Sequence, residues 1–200
     1  MKIIPNGIGT RDLYKLLVSV IVPRPIAFVS TVNKNDLPNA APFCFFMGVT
    51  PNPPTIAFSV IRRGDGGEKK DTIRNIENTR DFVINIVDES LTTAMNMASG
   101  SYPSDMSEFD VTGLTPLASE YVKSPRIAES PIHLECKLRT IVDLGDVAAS
   151  IVIGEIVCVH VKDHVLTDGQ IDFHKLKAVG RLGESTYVKM TDLFQLNRPA

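Results

Sequence analysis

Residues 23–43 read PRPIAFVSTVNKNDLPNAAPF, and this stretch sets the fold class. Ile26 to Val32 is rich in β-branched and aromatic residues, a strand by composition, and Asn33-Lys34-Asn35-Asp36 behind it is turn chemistry. The chain then runs into Asn39-Ala40-Ala41-Pro42-Phe43, small and uncharged, where bulkier residues would bury more surface. Small side chains between prolines point to something other than protein lying against the backbone.

The alternation of strand and turn continues downstream. Phe43 to Thr50 reads as a strand stopped by Pro51-Asn52-Pro53-Pro54, Thr55 to Ile61 as a third and Asp81 to Val87 as a fourth. From His133 to Val142, the residues Leu134, Cys136, Leu138, Thr140 and Val142 alternate with His133, Glu135, Lys137 and Arg139, which predicts one buried and one wet face. Asp143-Leu144-Gly145-Asp146 is a turn into a long strand, Val147 to Val161. Asp71 is placed to N-cap a short helix with Ile73 and Ile76 as its buried stripe, and a second helix is expected over Glu89 to Ala98. Residues 99–130, irregular and interrupted by Pro103, Pro116 and Pro125, read as a surface excursion or a lid. A parallel sheet needs a crossover helix after almost every strand, and these are missing. The expectation is a mainly β protein: an antiparallel barrel with peripheral helices, one domain over residues 1–200.

Bulk properties exclude several classes. A chain of 200 residues with 44% hydrophobic and 22% charged residues buries a core without disulfide or metal staples. A formal charge of −2 leaves no electrostatic footprint for nucleic acid. The N-terminal MKIIPNGIGT lacks the apolar core of a secretory signal, and no window approaches the roughly 20 apolar residues of a membrane span. Cys44, Cys136 and Cys158 are odd in number and far apart, which fits free thiols in a reducing compartment. A cytoplasmic protein is expected.

The chemistry-bearing residues are few. In IAFSVIRRGDGGEKKDTIRNI, residues 56–76, Arg62, Arg63, Lys69 and Lys70 precede a helix beginning at Asp71 and Thr72. A helix start with basic neighbours suits a phosphate; a solvated loop before a capped helix is the alternative. The glycine spacing matches neither a P-loop nor a dinucleotide fingerprint. His160 and His164 are four apart, but at a strand end and not on a helix face as a H-E-x-x-H zinc site requires. Cys44 is a possible nucleophile, although buried cysteine as a small hydrophobe is commoner. With no acid/base constellation, a cofactor that carries the chemistry is the simplest expectation.

Five segments in order, PRPIAFVST, NAAPF, the strand step through Pro53-Pro54, KKDTIRNI and AVGRLGESTY, resemble the flavin reductase-like family of FMN-binding split-barrel proteins, and within it the flavoredoxin-like branch. The resemblance runs from about Leu16 to Pro199. It implies a six-stranded antiparallel split barrel, a homodimer, and FMN near the subunit interface. It places Asn39, Ala41, Pro42, Phe43 and Cys44 along the isoalloxazine ring, where small residues let backbone N–H groups reach the flavin. It puts Ser30 and Thr31 at the strand end facing the cofactor and Arg62, Lys70 and Thr72 near the phosphate. Thr50 and Ser59 are neighbours, and Arg181 and Tyr187 close the site, from the same or the second subunit. Cys44 and Met47 depart from the serine and asparagine common in the family, and cysteine is the poorer donor. Arg24 has packing or pairing at the strand start as its plainer role, and Gly180 and Gly183 have turns as theirs. The implied activity is electron transfer from NAD(P)H or a redox protein through FMN. The alternatives are a non-catalytic FMN carrier and a flavin-free binding module on the same barrel.

Overall fold

The strands that alternation marks out form the body of the protein, and the segments it leaves unmarked cover it. The computed structural model describes residues 2–62, 67–145 and 148–199. Arg63, Asp146 and Val147, which the sequence places in the basic loop and at a strand start, lie outside them. In chain order the elements are α1 (Thr10–Val20), β1 (Ala27–Val32), β2 (Pro38–Phe43), β3 (Phe46–Pro51), β4 (Pro54–Ile61), α2 (Asp71–Thr79) and β5 (Asp81–Ile86). There follow α3 (Thr92–Met97), α4 (Glu108–Thr112), β6 (Pro116–Leu117), β7 (Arg126–Ile127), β8 (Ile132–Leu144) and β9 (Ala149–Val161). After a 3₁₀ turn come β10 (Leu166–Thr167), β11 (Gln170–Ile171), α5 (Phe173–Leu176), β12 (Val179–Arg181) and β13 (Tyr187–Lys189).

Seven strands, not six, make one antiparallel sheet in the order β2-β1-β5-β8-β9-β4-β3. The extra strand is β2, which covers the small-residue segment. Its edge strands β2 and β3 are consecutive in the chain and separated only by Cys44 and Phe45, so the sheet must curl until its two edges meet there. The ladder itself stays open: a cylinder split along one seam.

The prolines of PNAAPF explain how it forms an edge strand. The Pro38 carbonyl accepts from Ser107 and the Ala40 N–H donates to Glu108, so this parity faces away from β1. Pro42 shares the parity and has no N–H to leave unpaired. That corrects one expectation. Ala41 and Phe43 direct their N–H groups towards β1, so neither of these two N–H groups is turned to the open edge.

Inside the cylinder, Val29, Phe58, Ile73, Ile76, Phe82 and Val152 form the main core, with Phe82 edge-on to Phe58 at 5.4 Å. Ile73 and Ile76 are fully buried, as their spacing requires. The N-cap of α2 is Lys70, however, and Asp71 is its first helical residue, paired with Arg74 at 3.0 Å. Gly154 in β9 faces the Phe82 ring so closely that an added Cβ would lie 2.4 Å from its Cζ.

Residues 99–130 are not a loose excursion. Phe109, Leu114 and Ile127 pack with Phe28, Leu91 and Met95 into a second core on the outer face of the sheet. The part from 118 to 130 is a strap held by sheet side chains. Glu135 accepts from the Glu120 and Tyr121 N–H groups, Asp81 from those of Lys123 and Ser124, and Asn85 from that of Ile127. The expected wet face of β8 is therefore only half wet: Lys137 and Arg139 are exposed, but His133 and Glu135 are buried under the strap. The second helix is shorter than expected because the Asp88 carboxylate takes the Leu91 N–H and the Ser90 hydroxyl, spending the preceding residues on a turn. α1 falls where the sequence shows no element, and only Val18 of it is buried.

Candidate functional site

Two adjoining cavities lie along the split edge. The smaller, about 160 Å³, is bounded by Asn39 and Ala41 of β2, by Lys70 and Thr72 at the start of α2, and by Gly100 and Glu108. The larger, about 390 Å³, runs over Pro42, Phe43 and Cys44 to Tyr14, Arg24 and Arg181. Pro42 and Ser99 line both, so they form one cleft with a narrow polar end and a wider, more apolar end.

The narrow end is organised around Asn39. Its Oδ1 accepts from the Thr31 and Thr72 hydroxyls, both at 3.3 Å, and its Nδ2 donates to Glu108 at 2.7 Å. Asn75 donates to Thr31 at 3.0 Å, so the amide of Asn39 is fixed from three elements. Burial holds the Glu108 carboxyl above the usual carboxylate range, against the lowering effect of its backbone and Asn39 hydrogen bonds. Among the described residues no side chain caps the N-terminus of α2, and the Lys70 ammonium lies 5.5 Å from the centre of the Phe43 ring. A cation, a helix start and hydroxyls at one end of a cleft suit a phosphate or another anion.

The wide end is cationic but not loosely so. Arg24 is buried, donating to the carbonyls of Val18, Ile21 and Leu182, so it closes the C-terminus of α1 and ties it to the β12–β13 hairpin. Its Nε lies 3.4 Å from the Cys44 sulfur. Pairing, then, is its role. Arg181 reaches the cleft from within the same chain, stacked on the Tyr187 ring at 4.5 Å and bonded to its hydroxyl and to the Glu184 carbonyl. Tyr187 supports Arg181 and packs on the second core instead of lining the cleft. Gly180 lies in β12, where a Cβ would come within 3.1 Å of Pro23 and Val188; close approach, not a turn, requires it.

The cleft thus gathers Asn39, Ala41, Pro42, Phe43, Cys44, Lys70, Thr72 and Arg181, with Thr31 immediately behind Asn39. The remaining expected residues lie elsewhere. Ser30 is fully buried on the outer face, bonded to Pro125 and Asn85 beneath the strap. Thr50 is exposed and bonds within its own turn. Ser59 lines a separate apolar depression with Met47, which touches the cleft only through Arg24 and Cys44. Arg62 donates to Asp143 at 2.7 Å and Ser150 at 3.0 Å, fastening β4 to the β8–β9 hairpin, while its buried Nε has no partner among the described residues. The Ser150 hydroxyl, donating to Asp143 at 2.6 Å, and then Arg62 hold the Asp143 carboxyl below its usual range. Missed by sequence reasoning were Glu108 and the α1 residues Arg11, Tyr14 and Lys15. An acid inside an irregular segment carries no local signal. In α1 the fragment R-x-x-Y-K spaces Arg11, Tyr14 and Lys15 for one helical face, which was legible had the helix been assigned.

Among the described residues no helix is long and apolar enough to cross a membrane. A sequence-family profile for the flavin reductase like domain matches residues 19–177. Solved structures that resemble the whole chain include the following three. Nitrilotriacetate monooxygenase component B from Bacillus cereus superposes with a TM-score of 0.94 at 38% identity, over 98% of each chain. The 2-nitrobenzoate 2-nitroreductase NbaA of Pseudomonas fluorescens does so with 0.91 at 31%, over 100% of this chain and 96% of that one. Flavoredoxin of Desulfovibrio vulgaris (Miyazaki F) gives 0.80 at 25%, over 98% and 97%.

Proposed function

This chain belongs to the flavin reductase-like family, and we propose that it is an FMN-dependent oxidoreductase taking electrons from NAD(P)H or a redox protein. The family and its flavoredoxin relative indicate a flavin cofactor. The observation that carries the mononucleotide reading is the polarity of the cleft: an anion-binding helix start at one end, a flat floor of small residues in the middle, and room of a few hundred Å³ beyond.

The residues present fit such a group. Lys70, with the start of α2, would hold the phosphate, and the Asp71–Arg74 pair keeps the nearby, half-buried Asp71 carboxylate from repelling it. Ala41 and Pro42 project too little to keep a planar ring off the edge of β2. The Asn39 amide, locked by Thr31, Thr72 and Glu108, would present a fixed polar wall. Arg181 and the guanidinium of Arg24 place positive charge at the wide end, where it favours an electron-rich ring. When bound, a flavin supplies the hydride- and electron-accepting chemistry; the chain supplies binding, orientation and this field. Similarity to a monooxygenase component B favours electrons being passed on to a second component. The exposed apolar side chains of Met47, Val49, Ile61, Val142 and Leu144 favour a second copy of the chain against β3 and the β8–β9 end, in a cytoplasmic homodimer.

The test is an absorption spectrum of desalted protein with and without added FMN, followed by anaerobic mixing with NADH and NADPH. Retained flavin bands that bleach with either nucleotide support the proposal. Retained bands that bleach only with a reduced redox protein leave a carrier, and a colourless protein indifferent to FMN rejects a flavin role.

A further inference from the structure

Three donors of different chemistry converge on the outer face of the sheet, far from the cleft in the strand order. Cys158 and His160 are two apart in β9 and so share a face, and Glu135 of β8 is the direct cross-strand partner of Cys158. His160 Nε2 lies 3.4 Å from the Cys158 sulfur and 2.7 Å from Glu135 Oε1, and all three atoms lie within 4.8 Å of one another. We infer that Glu135, Cys158 and His160 form a site for a divalent transition ion of zinc type.

Donor identity selects the ion. Thiolate sulfur with imidazole nitrogen and one carboxylate is a set for zinc or cobalt(II), not for magnesium or calcium, which want oxygen alone. Geometry agrees. Tetrahedral zinc with bonds of about 2.0–2.3 Å sets its donors about 3.3–3.6 Å apart. The nitrogen–sulfur distance already matches, and the nitrogen–oxygen pair must open by about 0.6 Å as the metal replaces the hydrogen between them.

The surroundings suit a ligand histidine. The other ring nitrogen, Nδ1, faces the Glu120 carboxylate at 3.8 Å, so once a metal displaces the hydrogen from Nε2 an acceptor lies near enough to take the ring's N–H on the opposite side. Glu135 is held by two strap N–H groups at 2.9 and 2.7 Å, so its oxygen is preset. Two strands of one ladder carry all three ligands, which makes the site rigid. Arg126, 4.0 Å from Glu135, is the opposing charge; its guanidinium is engaged by the Ala118 carbonyl at the strap. Because Glu135 also anchors residues 120 and 121, the ion would pin the strap to the sheet, a structural role independent of the cleft.

The test uses the full-length protein as purified, with whatever cofactor it holds, dialysed against micromolar zinc and assayed for bound metal. The expected result is one zinc per chain, with a zinc K-edge absorption spectrum showing one sulfur scatterer at about 2.3 Å. Cys158→Ser and His160→Gln should each weaken binding by more than the roughly 10–100-fold lost with an outer-shell partner, and Cys44→Ser should leave it unchanged. Zinc held equally by Cys158→Ser, or a wild-type spectrum with only nitrogen and oxygen around the metal, overturns the site. The wild-type spectrum decides even if a variant fails to fold, and neither result depends on flavin or activity.

Discussion

Replacing Lys70 by alanine removes the ammonium from the narrow end of the cleft and leaves its floor in place. A hydrogen bond to a charged group contributes about 1.5–3 kcal/mol, which is roughly a 10- to 150-fold loss in FMN affinity. Lys70 is partly exposed, so salt screening places the expected loss near the lower bound, about tenfold at physiological ionic strength. The same substitution also removes a cation from the Phe43 ring at 5.5 Å, an interaction of about 0.5–1 kcal/mol, so folding stability should fall by about 1 kcal/mol or less. Riboflavin, which lacks the phosphate, separates the two effects. Titrating both ligands by flavin fluorescence, Lys70→Ala should weaken FMN and spare riboflavin, and Lys70→Arg should recover much of the loss. Equal weakening of both ligands would mean that Lys70 acts through packing on Phe43, and an unchanged FMN affinity would remove it from the phosphate end altogether.

Gly154→Ala forces a methyl against the buried Phe82 ring and should cost about 1–3 kcal/mol, seen as a lower urea midpoint at constant slope. Asp81→Ala leaves the Lys123 and Ser124 amides and the Ser124 hydroxyl without their acceptor. A loss of about 2–4 kcal/mol is expected, with faster hydrogen exchange at residues 118–127 and little change in α2. Glu108, whose folded carboxyl sits above its ordinary 4.5, binds its proton more readily folded than unfolded. Its contribution is therefore complete below pH 4.5 and is lost as pH rises through the folded value. Glu108→Gln should remove that downward slope while keeping an acceptor for Asn39 and Ala40, and chemical denaturation from pH 4 to 8 measures it; an unaltered slope would assign the dependence to another group.

Strands with full hydrophobic alternation were legible because each residue's face is a local property. Ile73 and Ile76 announced α2 for the same reason. β2 was not legible as a strand: two prolines and two alanines have low strand propensity, and only its place on an edge, where prolines lose nothing, makes it one. Sequence alone therefore places Phe43 at the start of the following strand and yields six strands where the sheet has seven. Of the site, Asn39 to Cys44, Lys70 and Thr72 could be found from pattern and resemblance. Arg62 was misplaced because its partners, Asp143 and Ser150, arrive from a hairpin some eighty residues on. Glu135 reads as solvated in β8 because nothing within the strand reveals that residues 120 and 121 will need its oxygens. Long-range hydrogen bonding, not propensity, decided each of these.

The strap also fixes an order of assembly. Its bonds to Ser30, Asp81 and Asn85 span 95, 43 and 42 residues of chain, and its hydrogen-bond partners lie on three neighbouring strands, β1, β5 and β8. No part of it has a complete set of partners until those strands have aligned, so it docks late and opens early. Until then Lys123 and Arg126 lie on undocked chain, and trypsin would cut there in preference to the sheet. Resistance at those two bonds thus reports whether the cylinder is finished, which lets brief proteolysis count correctly folded molecules before any cofactor is added.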